Sequence, residues 1–473
     1  VTTRVKTAAL CLFIPIIFIS CATRSMLRLE KMRTVTERGD FRSAAEDLKK
    51  QPKLYGKNSR FLYYMDIGML YHYAGEYDSS IAYLLSASRI YDELFTRSVS
   101  KEAAAILIND NVRDYRSKPY EVTLLHQTLQ FGYLSKNDPD EALVEARGMQ
   151  LLFNEWERLN AKDNRYFTDG MFHYVTSLVY DDAGQTDDAM ISLFKAAQAF
   201  QKGPVALPHA VSDQAYTLFR KNNRTADIDL LNLRQPGAGQ RGAPVENGQT
   251  EIVVVGFGGK GPALAENEWW GDWIKGGLLL LHHSSSDGRE ETMSIPAPDV
   301  AGRDKNSPAT VFVKVALPEV RTYRSETAYF TVEGGPAPSP VSTYVINDLD
   351  AQAKKQLEDA RGTIVARTVA RVVTRTLAAQ QAKKKMATNS DIANLLIGVG
   401  TDIVSSQLEK ADTRCCFFIP KTVQLARIPV KPGKHTITVY ARNRSGAALG
   451  SKTFSDIEVK PHKKKFVFYC SFQ

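Results

Sequence analysis

The chain has 473 residues, 43% of them hydrophobic, and its 30 glycines bring the non-polar share close to half. That composition excludes a disordered or collagenous chain and a polytopic membrane protein, and the length suits two or three domains. Five cysteines are too few for a disulfide scaffold, and a net charge of +9 points to nucleic acid only where it is clustered.

Residues 1–6 carry Arg4 and Lys6 and no acid, and residues 8–20 (AALCLFIPIIFIS) follow as an apolar run. A bilayer span needs about 20 such residues, so the run predicts the hydrophobic region of a signal peptide, residues 1–20. It ends at Phe18-Ile19-Ser20-Cys21, which resembles a bacterial lipobox, with Phe18 where leucine is usual. The resemblance implies acylation (palmitate included) at Cys21, a tether over 21–29, and a firm multi-chain anchor. Ala22 after the cysteine, where aspartate would signal inner-membrane retention, implies the outer membrane and a chain facing the periplasm. The alternative is an ordinary secretory signal without lipid.

Residues 30–234 read as helical repeats. Tyr64, Ile67, Gly68, Tyr71, Gly75, Tyr77, Leu84 and Ala87 fall at the spacing of a repeat of about 34 residues, with Ser80 where alanine is usual. Gly68 and Ala87 let two antiparallel helices approach while the large residues fill between them. Leu129, Tyr133 and Ala142 with Asn137, then Tyr180, Gly184, Ala189 and Ala196, repeat part of the frame. Gly39, Phe41, Ala44 and Leu48 begin it. This pattern resembles the tetratricopeptide-repeat superfamily. The resemblance implies a solenoid whose groove holds a partner segment, with Tyr64, Gly68, Tyr71, Gly75, Tyr77, Tyr133, Tyr180 and Gly184 as signature and partner-binding positions. His126 and His173 stand where that repeat usually has tryptophan and read as core residues. Residues 21–240 hold 28 Lys+Arg against 29 Asp+Glu, which is no footprint for nucleic acid.

Residues 235–249 (QPGAGQRGAPVENGQ) form a linker, and 250–473 a second domain. Strands are predicted over 251–255, 278–282, 310–317, 328–332, 423–430, 435–442, 452–459 and 465–470, and helices over 348–385 and 391–410. The expected fold is thus an all-α repeat solenoid followed by an α+β domain with one antiparallel sheet and two helices. The positive charge lies here, 31 Lys+Arg against 23 Asp+Glu beyond residue 240. Arg367, Arg371 and Arg375 recur every four residues and align on one helix face. That face is either simply solvated or a dock for an acidic partner, anionic lipid or lipopolysaccharide phosphate. Gly398 and Gly400 in Asn394–Val404 predict close helix packing within the chain or against a second copy.

The order of Glu251–Val255, Ala316-Leu-Pro-Glu319, the run Asn347–Asp359, Ala411-Asp-Thr-Arg414, Ile419-Pro420 and Pro432-Gly-Lys-His435 resembles a family of bacterial envelope lipoproteins. These have tetratricopeptide-like repeats and a β-rich C-terminal region. Relatives often carry tryptophan after the arginine matching Arg414, where this chain has Cys415-Cys416. The resemblance implies architecture and location and no activity.

Gly256-Phe-Gly258-Gly-Lys-Gly261 matches the glycine pattern of a dinucleotide site, but no regular βαβ unit follows, and a glycine-rich turn between strands is expected instead. His282 and His283, adjacent on a strand, point to opposite faces and are poorly placed to share a metal. Cys415 or Cys416 could pair with Cys470 in an oxidising compartment, and geometry decides it. Trp269, Trp270 and Trp273 form either a glycan platform or interface anchor, or part of the core. The leading expectation is a non-enzymatic scaffold or adaptor in an envelope complex, without cofactor or metal. The alternatives are a peptidoglycan- or lipopolysaccharide-binding regulator and an enzyme with a dispersed site.

Overall fold

A computed structural model describes residues 20–99, 113–159, 169–237, 248–274, 277–284, 289–297, 310–335, 340–386 and 410–473. The signal segment 1–19, most of the linker and the helix expected over 391–410 with its Gly398 and Gly400 lie outside these residues. Among them are eleven α-helices and three four-stranded sheets.

The helices come as hairpins: α1 (Ser20–Glu37) with α2 (Phe41–Lys49), α3 (Arg60–Ala74) with α4 (Tyr77–Val99), and α5 (Pro119–Ser135) with α6 (Pro139–Leu159). Then come α7 (Gly170–Asp182) with α8 (Thr186–Lys202) and α9 (His209–Lys221) with α10 (Thr225–Leu230). Every hairpin turns on one left-handed residue: Gly39, Gly75, Asn137, Gly184 and Asn223, all with φ between 57° and 80°. Glycine and asparagine adopt this conformation at least cost. In the second hairpin Gly75 N donates to His72 O and Glu76 N to Tyr71 O (3.0 and 2.9 Å), so the last carbonyls of α3 are satisfied. Gly68 sits where a Cβ would meet Leu84 Cγ at 2.6 Å, which is the close helix approach its spacing predicts.

Helices α4, α6 and α8 are amphipathic and face outward, whereas α3, α5 and α7 are buried nearly all round. A helix apolar on every side needs cover on every side. The second cover is the sheet β12-β1-β9-β8, made of β1 (Glu251–Lys260), β8 (Tyr344–Asp348), β9 (Pro420–Pro429) and β12 (Lys464–Ser471). Val253, Val255, Phe257, Phe466 and Phe468 join the helices in one hydrophobic core. The opposite face, with Ile252, Val254, Ala426 and Ile428, packs on a second sheet, β11-β10-β6-β7. That sheet comprises β6 (Tyr329–Gly334), β7 (Val341–Ser342), β10 (Gly433–Arg442) and β11 (Ala448–Val459). A strand covered on both faces reads as an unbroken apolar run, and β1 is one.

The third sheet, β4-β3-β2-β5, is built from β2 (Ala263–Ile274), β3 (Leu278–Ser284), β4 (Glu290–Pro296) and β5 (Thr310–Arg321). Its inner face, with Trp269, Trp273, Leu281 and Val315, packs on Val369, Val372 and Val373 of α11 (Leu349–Met386).

These sheets correct the expected fold class. Among the described residues there are three sheets where one was expected, and β1 pairs with β12 in parallel. The helical array is not a free-standing solenoid, because its inner helices and the first sheet fill one core. Most of the glycine motif, Gly256–Lys260, is strand β1, and only Gly261 falls in the short connection to the next strand. Gly256 brings β1 against the Phe330 ring, which a Cβ would meet at 2.3 Å. At Gly261 a Cβ would lie 2.7 Å from the Ile419 and Pro420 carbonyl oxygens.

Candidate functional site: an occupied groove and a basic cavity

Two places gather polar chemistry: the inner surface of the helical array, and a cavity between that array and α11. The predicted groove residues lie in the first. Tyr71 is buried, and its hydroxyl donates to Glu46 Oε1 at 2.5 Å and accepts from Lys49 Nζ at 3.5 Å. Burial, then the Glu46 contact, pushes its pKa up to about 12. Tyr64, Tyr77, Tyr133 and Tyr180 are half-buried and packed against the core. Gly75 and Gly184 make turns. These residues recur on successive hairpins and do not converge on one site.

The groove is taken by the chain itself. The extended segment 411–419 runs along the inner helices, and three carboxylates hold it and its neighbours. Asp66 on α3 accepts Phe417 N (2.8 Å), Phe418 N (3.0 Å) and the Tyr55 hydroxyl (2.5 Å). Glu121 on α5 accepts Cys416 N at 3.0 Å and the Tyr115 hydroxyl at 2.6 Å. Asp169, the N-cap of α7, accepts from Asn347 and Gln352. Arg33 Nε on α1 donates to Phe417 O at 2.9 Å, and the Tyr73 hydroxyl on α3 donates to Phe418 O at 3.2 Å. Burial raises the Asp66 pKa to about 7 and the Asp169 pKa to about 6, although the donated hydrogen bonds oppose it. None of these carboxylates was singled out in the sequence. The available signal was a lone acid in an otherwise apolar helix, as in FLYYMDIGML.

Further along, Arg427 forks onto Glu251 with two bonds of 2.8 Å, and Lys464 reaches both Asp181 and Glu251. This buried network ties α7 to the first sheet.

The second place is a cavity of about 220 Å³ between the segment 113–118, α11 and residues 411–414. Arg367 and Arg371 of the predicted basic stripe line it. Arg371 is buried and donates to Thr368 Oγ1 at 3.2 Å. Arg375 lies on α11 where side chains are outside the described set, as does Cys21 on α1. Arg113, Arg116, Lys118 and Arg414 complete the basic lining, and no sequence pattern joins them to the stripe because they lie far from it along the chain.

Cys415, Cys416 and Cys470 are buried free thiols. Burial pushes the Cys415 pKa up to about 11 and raises the other two as well, so at neutral pH all three stay protonated. The tryptophans split between the two faces of β2: Trp269 and Trp273 are core, and Trp270 is 40% exposed. His282 bonds to Thr292 and His283 to the Glu268 carbonyl. His173 is core, and His126 pairs with Glu145 at 2.7 Å. Among the described residues, no helix is long and apolar enough to cross a membrane, and no three His, Cys, Asp or Glu cluster as metal ligands. Comparison with protein-family models and with curated proteins finds no match to this chain.

Proposed function

We propose that the chain is a lipid-anchored protein of the outer membrane, facing the periplasm, that works as a non-enzymatic scaffold in an envelope complex. The basic N-terminus, the apolar run and Cys21 support the anchor. The observation that carries the scaffold reading is the outer face of the third sheet. There Phe312 is 67% exposed, with Trp270 and Leu278 also exposed on the same face. The register sets Trp270 opposite Lys314 and Asp272 opposite Phe312, so the two aromatic rings are diagonal neighbours. Contiguous exposed apolar groups on a sheet mark an interaction surface, and aromatic anchors dominate such contacts. The helical groove is not that surface, since the chain's own segment fills it.

Two measurements test this. A clickable fatty acid should label the protein in cells and lose the label in Cys21→Ser. Photo-crosslinkers placed at Phe312 and Trp270 should capture a fixed set of envelope proteins that a crosslinker at Leu230 does not. Absence of Cys21-dependent label removes the anchor, and identical capture from all three positions removes the scaffold face.

A further inference from the structure

We infer that the inner face of the third sheet and α11 together form a binding site for a neutral saccharide. This goes beyond the scaffold reading and does not depend on the lipid anchor. The inner face is apolar where it meets Val369, Val372 and Val373, as a sheet face covered by a helix should be. Residues two apart on a strand share a face, so Asn267 joins Trp269, His283 joins Leu281, Glu291 joins Met293, and Glu319 joins Leu317. At that end the covered face therefore turns polar on all four strands at once. There the helix and the sheet part around a cavity of about 390 Å³, within the roughly 300–1,000 Å³ of small-molecule sites. Every described residue of its lining lies on β2, β3, β4, β5 or α11.

The floor is apolar. It consists of Trp269, with the His283 ring 5.2 Å away and tilted by 33°, and of Leu317, Leu357 and Ile364. Acceptors stand around it. Asn267 Oδ1 is shielded from solvent and has no hydrogen-bond partner, while its Nδ2 donates to Glu319 Oε2 at 3.3 Å. Buried polar atoms are nearly always bonded, so an orphan acceptor on a cavity wall calls for a donor on the ligand. His283 Nδ1 donates to the Glu268 carbonyl at 2.9 Å, which leaves Nε2 of the neutral ring as a second acceptor. On the facing wall Lys354, Glu358 and Arg361 follow at helical spacing along one stripe of α11.

The carboxylates of Glu291, Glu319 and Glu358 nearly balance Lys354 and Arg361, so the site favours neither an anion nor a cation. A neutral ligand rich in hydroxyls fits it. Each hydroxyl can donate to a carboxylate, to Asn267 or to His283, and accept from Lys354 or Arg361. A pyranose ring also carries an apolar C–H face to set against Trp269 and its aliphatic neighbours. A second, more open cavity shares Trp269, Glu291, Arg361 and Val365 and continues along β4. The site is thus open at one end, which lets in a ring belonging to a longer chain.

The test titrates the purified full-length chain, in a detergent without a sugar headgroup, by calorimetry and saturation-transfer NMR. The probes are cellobiose, lactose and diacetylchitobiose, with the zwitterionic dipeptide Ala-Ala as the contrasting ligand. Saturable binding of at least one disaccharide, and none of the dipeptide, is expected. Response to diacetylchitobiose alone assigns an acetamide N–H to the Asn267 acceptor, and response to the other two assigns a hydroxyl. Glu291→Gln and Glu358→Gln, both at exposed positions that tolerate the change, should each weaken binding roughly tenfold, because each removes a charge-assisted hydrogen bond. Glu268→Gln, on the opposite face of β2 and paired with Lys314, should leave binding unchanged. Three results overturn the inference: no saturable binding of any disaccharide, equal binding of the dipeptide, or binding that both cavity glutamate variants leave intact.

Discussion

His72 is buried among the rings of Tyr73, Tyr77, Phe131, Phe257 and Phe468, and neither ring nitrogen has a hydrogen-bond partner. Burial holds its pKa down to about 3 against an ordinary 6.5. A base whose pKa is lower folded than unfolded contributes full stability above pH 6.5 and loses it as pH falls toward 3, because the unfolded chain takes up the proton first. The unpartnered nitrogens carry a cost at neutral pH as well, about 1–3 kcal/mol for a buried polar group without a bond. His72→Leu is therefore expected to raise the unfolding free energy by about 1 kcal/mol or more at pH 7. The gain should widen between pH 6.5 and 4. Urea unfolding at both pH values checks this, and a gain that shrinks in acid would contradict it.

At the scale of the element, the segment 411–419 is held by its backbone rather than its side chains. Asp66 accepts two of its amides and ionises only near pH 7, since burial raises its pKa. A carboxyl whose pKa is higher folded than unfolded favours folding fully below pH 3.8, and that advantage is lost as pH rises through 7. The difference is on the order of 4 kcal/mol for three pH units. Asp66→Asn cannot titrate, so the wild-type chain should lose stability relative to it between pH 4.5 and 8. Hydrogen exchange should show the Phe417 and Phe418 amides less protected in the variant. Parallel stability curves for the two proteins would refute the pKa and its cause. The sequence announced the helical hairpins because a turn needs particular residues in place: Gly75, Asn137 and Gly184 each carry the left-handed backbone, and Gly68 the close approach. It announced β1, β5, β9, β10 and β12 through their apolar and β-branched runs. β2 escaped because its alternation, Trp269 and Trp273 inward with Trp270 outward, looks in one dimension like a cluster of like residues. The arginine stripe was visible as a period of four. Its cavity was not, because the opposite wall comes from residues 113–118, about 250 positions earlier. The carboxylates of α3 and α5 bond to a segment nearly 300 or more residues away, and no local pattern encodes such a partner.

For the whole molecule, the decisive feature is that helices and first sheet share a core, closed at one edge by charge. Glu251, Arg427, Lys464 and Asp181 are all buried, and Glu251 faces both cations. Removing the Glu251 charge leaves Arg427 unpaired in a low dielectric, which typically costs about 3–5 kcal/mol, while Lys464 keeps Asp181. Glu251→Gln keeps the shape and removes the charge, so Arg427 loses its only ion-pair partner among the described residues. Because α7 and β12 lie on opposite sides of this network, neither part can relax alone. The melting transition should move down as a single step in calorimetry, with the helical circular dichroism signal following the same curve. The boundary at 235–249 gives the contrary expectation: if the helical half 30–234 and the half 250–473 fold independently, Glu251→Gln splits the melt into two transitions, with the helical signal surviving the first. A shared core argues for one. The helical half expressed alone would expose Phe61, Phe131, Phe172 and the inner faces of α3, α5 and α7, and should be insoluble or partly unfolded rather than a stable repeat array.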